Sequence, residues 1–313
     1  MFSYVARRVL ATIPVLGVVA VIVFLMLRLS PGDPAAIIAG DNATADDILM
    51  IREQLGLDRP MVEQFVQWLW QLLGGDLGNS IYLQRPVLGL ILERVEPTLA
   101  LALTTLGFAM LLAIPMGVLA AWRAGSWVDQ TIMALSVLAF SVPVFLIGYG
   151  LVIGLSLTLE WLPVQGFVSL AEDPLQFARH LVLPTIALGL VYTALLARIT
   201  RATMLETLSE DFIRTARAKG LGEPRVLILH ALKNASVPIV TTIGTGLALL
   251  IGGVVVTESV FAIPGIGRLT IEAVLQRDYP VIQGVILVIA AVYVFVNLAI
   301  DLAYPLLDPR IRF

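Results

Sequence analysis

Six long apolar stretches dominate this sequence and restrict what it can fold into. They span residues 9–29, 98–121, 128–157, 181–200, 237–257 and 281–303. A helix rises about 1.5 Å per residue, so roughly 20 apolar residues cross a hydrocarbon core of about 30 Å. Lipid offers no hydrogen-bond partners to backbone N–H and C=O groups. Each stretch is therefore predicted to be helical, because a helix pairs these groups within itself. The chain is 58% hydrophobic and 14% charged, which excludes an ordinary soluble domain. We therefore predict an all-α integral membrane protein with six transmembrane helices.

The first stretch follows Arg7 and Arg8 and is either a secretory signal or a permanent anchor. Its apolar length exceeds that of a signal peptide, and the sequence SPGDP at 30–34 does not resemble a small-residue cleavage site. We therefore expect residues 1–30 to form an uncleaved transmembrane anchor.

The third stretch, residues 128–157, is too long for one straight crossing and too short for two. Pro143 lies near its middle, where the ring and the missing N–H of proline interrupt a helix. The stretch is therefore predicted to be one kinked helix with an extension at the membrane surface.

Basic residues are unevenly divided among the connecting segments. The segment between the fourth and fifth stretches carries Arg201, Arg214, Arg217, Lys219, Arg225 and Lys233, and the tail carries Arg310 and Arg312. In contrast, loop 158–180 contains one strong base and loop 258–280 contains two. Because cytoplasmic loops are enriched in Lys and Arg, both termini are predicted to be cytoplasmic, and loop 31–97 is predicted to face outside.

The outer loop 31–97 is predicted to fold into helices. Thr44 can cap a helix that runs through Leu55, and Pro60 can open a second helix from Met61 to Leu73. An apolar face predicts that this second helix lies on the membrane surface or packs within its own bundle. The face consists of Met61, Phe65, Leu69 and Leu72, with Trp68 at its flank. Whether Trp68 and Trp70 are interfacial aromatic residues or contacts for a partner stays open.

The sequence offers no recognisable catalytic or metal site. It contains no cysteine, and its two histidines, His180 and His230, lie 50 residues apart without forming a ligand pair. Neither of its two lysines stands in the Gly-Lys-Ser/Thr context of a nucleotide-hydrolysing loop. An intramembrane serine protease would need Ser156, but the following glycine of such a motif is missing. We expect no enzymatic activity, no metal and no nucleic-acid partner.

The predicted spans contain hydroxyl and amide groups but no ionisable group near mid-membrane, where ion-coupled transporters typically hold one. If this chain moves a solute uphill, a partner must therefore supply the energy. The candidate solute-path residues are Ser141, Tyr192, Thr241, Thr242, Thr245 and Asn297. Polar groups of this kind also hold helices together. A secondary transporter or channel that acts alone is the main alternative.

The segment 204–236 has a helix-glycine-helix pattern. Ser209 is a suitable N-cap, and basic residues fall in the last predicted turn before Gly220, which can supply a left-handed stop. Pro224 then begins a second helix before the chain re-enters the membrane. An ordinary basic loop would not need residues that start and stop helices at defined positions.

This segment resembles the cytoplasmic coupling loop of ABC importer permeases. Only Ala216, Gly220 and Leu232 match the general pattern, but RTARAKGL at 214–221 and HALKNA at 230–235 resemble the variant of dipeptide, oligopeptide and glutathione importers. Further similar motifs occur in the same order: PGDP at 31–34, LGLDRP at 55–60, GDLGNS at 75–80, EPTLAL at 96–101, WLP at 161–163, LPT at 183–185, ESVFAIPGIGRL at 258–269, RDYPVIQ at 277–283 and DPRIRF at 308–313.

The resemblance implies a type I ABC importer permease in a bacterial cytoplasmic (inner) membrane. The permease core would cover residues 98–303, with a coupling loop at 204–236 and a cytoplasmic tail at 304–313. Its implied partners are a second, related permease, two ATPase subunits that bind ATP and magnesium, an extracytoplasmic solute-binding protein and membrane lipid. Dipeptides, longer peptides, glutathione and metal chelates are all compatible cargoes.

The resemblance also implies that a helix from Phe212 to Gly220 docks the ATPase. Its residues are Phe212, Ile213, Arg214, Thr215, Ala216, Arg217, Ala218, Lys219 and Gly220. Thr215, Ala216 and Ala218 are small enough for a partner to approach closely, and the three basic residues can contact the rim of its groove.

Overall fold

The computed structural model describes residues 2–29, 35–36, 44–54 and 58–307. Within these ranges the regular structure is helical, apart from an isolated bridge between Asn79 and Pro86. The motifs at 31–34 and 308–313, and Leu55, the predicted last residue of the first loop helix, lie outside the described residues. The helices form two compact units, Met1–Glu93 with Leu269–Val294, and Arg94–Arg268 with Phe295–Phe313.

The first unit contains the N-terminal helix and the helices of the outer loop. They are α1 (Phe2–Leu29), α2 (Ala45–Gln54) and α3 (Met61–Leu73). The bounds of α3 confirm the prediction, and Pro60 stands at its N-cap. Proline suits the start of a helix because the first N–H groups have no intrahelical partner.

Helix α3 packs on α1 through aromatic side chains. The ring of Phe24 lies 5.1 Å from that of Phe65 and 5.6 Å from that of Trp68, measured between centroids. The Arg28 Nε donates to the Gln64 Oε1 at 2.9 Å. Met61 is 52% exposed, so the contact face is rotated toward Trp68 relative to the predicted one.

The second unit is built around a long, largely buried helix. Its helices are α4 (Val87–Trp122, which begins in the first unit), α5 (Trp127–Ser141), α6 (Val144–Leu151), α7 (Pro174–Leu208), α8 (Asp211–Ala218), α9 (Lys233–Val260), α10 (Ile266–Leu275) and α11 (Tyr279–Leu307), the last two also extending into the first unit. Leu183, Ala187 and Leu196 of α7 are almost completely buried. Because α4 begins at Val87, the predicted loop 31–97 ends inside a helix.

The third apolar stretch is broken where proline predicts a break. Helix α5 ends at Ser141, Pro143 is the N-cap of α6, and π-helical turns Val152–Thr158 continue α6. The two halves are bent by 97°, so the stretch is a broken span or a re-entrant loop, whereas one kinked helix with a surface extension was predicted. Within the described ranges, five helices are long and apolar enough to cross a membrane, or six if the bent pair is one span.

Candidate functional site

The coupling segment begins where α7 ends, and this junction corrects one prediction. The Ser209 hydroxyl donates to the Glu206 carbonyl at 2.7 Å, so Ser209 closes α7. The N-cap of α8 is Glu210, whose side chain makes no capping hydrogen bond. The predicted N-cap role of Ser209 is therefore wrong, because α7 remains helical eight residues beyond the predicted end of the fourth span.

One face of α8 is buried against other residues of this chain. Ile213 is fully buried and Ala216 is 6% exposed. Both belong to a core cluster that includes Met204 of α7 and Val226 and Ala231 beyond the turn. Ala216, which was expected to let a partner approach closely, packs its small side chain against the chain's own core. This anchoring fixes α8 to the helices on either side of it.

The other face of α8 is open. Its exposed residues are Asp211, Phe212, Arg214, Thr215, Arg217 and Ala218, and the C-cap residue Lys219 is exposed as well. Phe212 is 42% exposed, although phenylalanine is among the residue types most often buried. Arg214 pairs with Asp211 within the helix, and the Arg217 Nε donates to the Glu223 Oε1 at 2.7 Å. The second pair crosses the turn and links α8 to the segment that leads into α9.

Gly220 closes α8 in a left-handed conformation, as the sequence predicts, with φ of +81°. The Gly220 N–H donates to the Arg217 carbonyl at 2.9 Å and the Leu221 N–H to the Ala216 carbonyl at 3.3 Å. These two bonds define a Schellman motif. A Cβ at Gly220 would meet no atom within 4 Å, so only the backbone conformation restricts this position.

The chain passes from the turn into the fifth span without interruption. Pro224 lies at the start of a short helical turn, Glu223–Arg225, as predicted. π-Helical turns Val226–Leu232 follow and continue directly as α9. The predicted second helix of the loop is therefore the beginning of the span, and a displacement of α8 would act directly on α9.

A buried ion pair joins α5 to α7, although Arg201 was predicted to lie in a connecting segment. The Arg201 Nε lies 2.5 Å from the Asp129 Oδ1, and its Nη2 donates to the Oδ2 at 2.6 Å. The Gly125 N–H donates to the same Oδ2 at 2.9 Å. The Asp129 side chain is only 5% exposed. The sequence does contain one indication of this ion pair, because Asp129 is the single acidic residue in the third apolar stretch.

A second buried carboxylate organises the ESVFAIPGIGRL segment. Glu258 is fully buried and accepts hydrogen bonds from the Thr98 hydroxyl at 2.6 Å and the Arg268 N–H at 2.9 Å. The Thr98 hydroxyl oxygen also accepts from the Ile266 N–H at 2.8 Å. A Cβ at Gly265 would overlap the carboxylate. The segment therefore wraps around its own first residue, and Thr98 of the EPTLAL motif completes the arrangement.

Two further motifs meet in the first unit. The Asp278 carboxylate of RDYPVIQ accepts from the Ser80 hydroxyl of GDLGNS. It also accepts from the Ile81 N–H at 3.1 Å and the Tyr82 N–H at 3.3 Å. The amide of Gln283 in the same motif donates to the Val23 carbonyl of α1 at 2.8 Å. The GDLGNS and RDYPVIQ motifs are thus two segments that are distant in sequence and are joined by hydrogen bonds.

The candidate solute-path residues have differing environments. Tyr192 is buried, and its hydroxyl donates to the Thr242 and Ile243 carbonyls at 3.1 and 2.9 Å, joining α7 to α9. Hydroxyl groups of Ser141, Thr241, Thr242 and Thr245 each donate to a carbonyl of their own helix, and Asn297 lies in α11. Thr245 is exposed. These hydroxyl groups can line a path or stabilise the packing of helices.

Two family models together match the whole chain. The N-terminal model of binding-protein-dependent transport system membrane components matches residues 1–113. The model of the binding-protein-dependent transport system inner membrane component matches residues 113–313. The chain belongs to this permease family.

Full-length relatives agree with this assignment. The permease is 49% identical over 310 residues to a probable peptide ABC transporter permease protein of Sinorhizobium fredii, with 99% of each chain covered. It is 45% identical over 313 residues to a putative peptide transport system permease protein of Brucella abortus, and 42% identical over 314 residues to the glutathione transport system permease protein of Escherichia coli. In both comparisons all of each chain is covered. The resemblance predicted from the motifs is confirmed.

A solved structure supports the fold. An inward-facing form of the MetNI methionine ABC transporter matches with a TM-score of 0.58 at 19% identity, covering 70% of the permease and 96% of that chain. The permease therefore has the type I importer fold. It is a multi-pass inner membrane subunit of a binding-protein-dependent importer, and it is not itself an enzyme. Its described residues contain no group of three or more His, Cys, Asp or Glu side chains that could hold a metal ion.

Proposed function

We propose that this permease forms half of the translocation path for dipeptides, oligopeptides or glutathione. A second, related permease would form the other half, and each would dock one ATPase subunit. An extracytoplasmic binding protein would deliver the solute. The names of the full-length relatives support the peptide or glutathione cargo, and the uncharged, hydroxyl-bearing spans suit solutes of varied side chains.

The geometry of α8 carries this proposal. Its inner face is anchored by Ile213 and Ala216, whereas its outer face presents Phe212 and Ala218. The Schellman turn and the Arg217–Glu223 pair hold the outer face in a defined orientation. An exposed aromatic residue beside small and basic ones suits the groove of a partner subunit. ATP and magnesium would be bound by that partner.

The mechanism follows from the continuity of the helices around α8. Closure of the two ATPases on ATP would draw the α8 helices of the two permeases together. Because α8 is packed against both α7 and the start of α9, the movement would bias the spans toward an outward-open state, and hydrolysis would reverse it. Shifting a conformational equilibrium from 1:99 to 99:1 requires about 5.5 kcal/mol of differential binding, so the docking surface must be rigid.

We propose that α8 and both termini lie in the cytoplasm. The basic residues of segment 201–233 support this orientation through the positive-inside rule. The loop 31–97 would then face outside and take part in receiving the binding protein. The tail, residues 304–313, lies mostly outside the described residues.

For the solute path, we propose that the hydroxyl groups of α9 contribute together with Ser141 and Asn297. Replacing Thr242 and Thr245 with valine removes two hydroxyl groups at nearly constant volume. Uptake should fall several-fold for at least one peptide, with ATPase docking unchanged. The matched control replaces Thr158, an exposed threonine whose hydroxyl donates to the Ile153 carbonyl, with valine. Unaltered uptake of several peptides by the double variant would assign these threonines to helix packing.

The proposed function is tested by reconstituting the permease in vesicles with its sister permease, ATPase subunits and binding protein. Uptake of a labelled dipeptide, a pentapeptide and glutathione is measured with ATP at the ATPase face. At least one should accumulate only when ATP and the binding protein are both present. Accumulation by the permease without ATPase subunits would show a secondary transporter or channel. Failure of all three solutes despite stimulated ATP hydrolysis would contradict the cargo.

A further inference from the structure

Helix α3 has an apolar surface that α1 does not cover. Here called the outer stripe, it consists of Val62, Val66, Trp70 and Leu73, which are 47–74% exposed. At 3.6 residues per turn these positions fall within an arc of about 80°. The stripe lies between the face that holds Phe65 and Trp68 and a polar face formed by Glu63, Gln67 and Gln71.

The helix on which α3 packs has the surface of a lipid-embedded span. Apolar residues around roughly two thirds of the circumference of α1 are exposed, with values of 42–63%. They are Val9, Leu10, Ile13, Val15, Val18, Val21 and Ile22. Such a surface, on a helix long and apolar enough to cross a membrane, suits contact with hydrocarbon. Val21 lies one turn before Phe24 on the same side of α1, so this lipid-facing surface extends to the place where α3 packs.

The contact between the helices lies at the end of the apolar core. The candidate span of α1 is Arg7–Met26, and Phe24 stands about 3 Å from its end at 1.5 Å per residue. Arg28 lies just beyond, where its guanidinium covers the Phe24 ring at 3.5 Å and also reaches Gln64. Helix α3 therefore meets α1 where hydrocarbon gives way to polar headgroups.

The composition of α3 suits that depth. Tryptophan is enriched at membrane interfaces because it combines a large apolar ring with one polar N–H. Helix α3 contains no basic residue and one acidic residue, Glu63, so it has no charge that would attract anionic headgroups. The outer stripe can therefore bind a membrane by burying its apolar side chains, without electrostatic attraction to the headgroups.

We propose that the outer stripe of α3 rests in lipid at the membrane interface, on the side of the loop 31–97. The helix is then held by two surfaces, with Phe65 and Trp68 on α1 and the outer stripe in the bilayer. Glu63, Gln67 and Gln71 face water. The bilayer thereby fixes the position of the loop segments on either side of α3.

The absence of cysteine from the chain permits a direct test. Single cysteines at Val62, Val66, Trp70 and Leu73 carry a nitroxide label in the complete importer, whose other subunits have their cysteines replaced, in phosphatidylcholine vesicles. Matched controls are Glu63→Cys, Gln67→Cys and Gln71→Cys. Collision of the label with oxygen, which concentrates in hydrocarbon, is compared with collision with a water-soluble nickel chelate.

We expect the oxygen-to-nickel ratio to be several-fold higher at the outer stripe than at the three polar positions. Adding anionic lipid should leave the pattern unchanged. Equal ratios at both sets of positions would overturn the proposal, because the stripe would then face water. Low collision with both reagents at the stripe would overturn it as well, because another protein subunit would then cover α3.

Discussion

Replacing Arg201 with methionine is expected to destabilise the permease by about 3 kcal/mol. The substitution keeps an unbranched aliphatic stem but removes the guanidinium, which leaves the Asp129 carboxylate buried with the Gly125 N–H as its remaining partner. Removing one partner of a buried ion pair costs about 3–5 kcal/mol, because the remaining charge is not compensated. We place the cost at the lower end since the Arg201 side chain is 27% exposed. Denaturant unfolding of the purified permease in detergent measures it.

Two variants serve as controls for this prediction. Arg198→Met changes an exposed arginine one turn earlier in α7 and should cost little. The double variant Asp129→Leu with Arg201→Met removes both charges and should recover most of the lost stability, since buried pairs are often replaceable by apolar residues. If Arg201→Met is no less stable than Arg198→Met, the pair does not join α5 to α7 in the membrane.

Replacing Gly220 with valine is expected to uncouple ATP hydrolysis from transport. A β-branched residue at φ of +81° is strained by about 1–2 kcal/mol, and the strain is relieved by reopening the Schellman turn that orients α8. Because a Cβ at Gly220 would meet no atom within 4 Å, membrane insertion and pairing with the sister permease should persist. Uptake per ATP hydrolysed in vesicles should fall by about tenfold, the effect of about 1.4 kcal/mol.

The control for this position is Gly220→Asn, because asparagine adopts the left-handed conformation more readily than valine. It should retain most of the coupling. Equal loss in both variants would assign the defect to the side chain rather than to the turn. Full coupling in Gly220→Val would show that the orientation of α8 does not depend on this glycine.

Local signals in the sequence predicted the features that depend on neighbouring residues. Pro60 and the apolar pattern after it predicted the bounds of α3, Pro143 predicted the break between α5 and α6, and Gly220 predicted the left-handed stop. Each of these follows from the conformation of a single residue or from helical periodicity. The match between prediction and structure is therefore closest where no distant segment is involved.

Long-range contacts account for the features that were missed. Ser209 has the side chain of an N-cap, but packing of α7 prolongs that helix and leaves Ser209 at its end. Ala216 lies among polar neighbours in the sequence, so they do not predict its burial in one core cluster with Met204 and Val226. Asp129 and Arg201 are 72 residues apart in sequence, so no local pattern predicts their ion pair.

Long-range contacts also join the motifs on which the family resemblance rests. Thr98 and Glu258 come from motifs 160 residues apart and bond to each other, and Ser80 and Asp278 do so across 198 residues. The sequence showed the order of these motifs without showing which ones meet. The structure gives them a role in holding distant parts of each unit together.

Cross-linking in the assembled importer tests directly the proposal that the outer face of α8 docks the ATPase. In the assembled importer, a single cysteine at Ala218 is joined to a short photoreactive cross-linker, and a cysteine at Ala124 is the control. Ala124 is also exposed and small, and under the proposed orientation it lies on the same side of the membrane, in the turn between α4 and α5. We expect an efficient cross-link to the ATPase from Ala218 and a weak one from Ala124. No cross-link from Ala218, with an efficient one from Ala124, would contradict docking through α8.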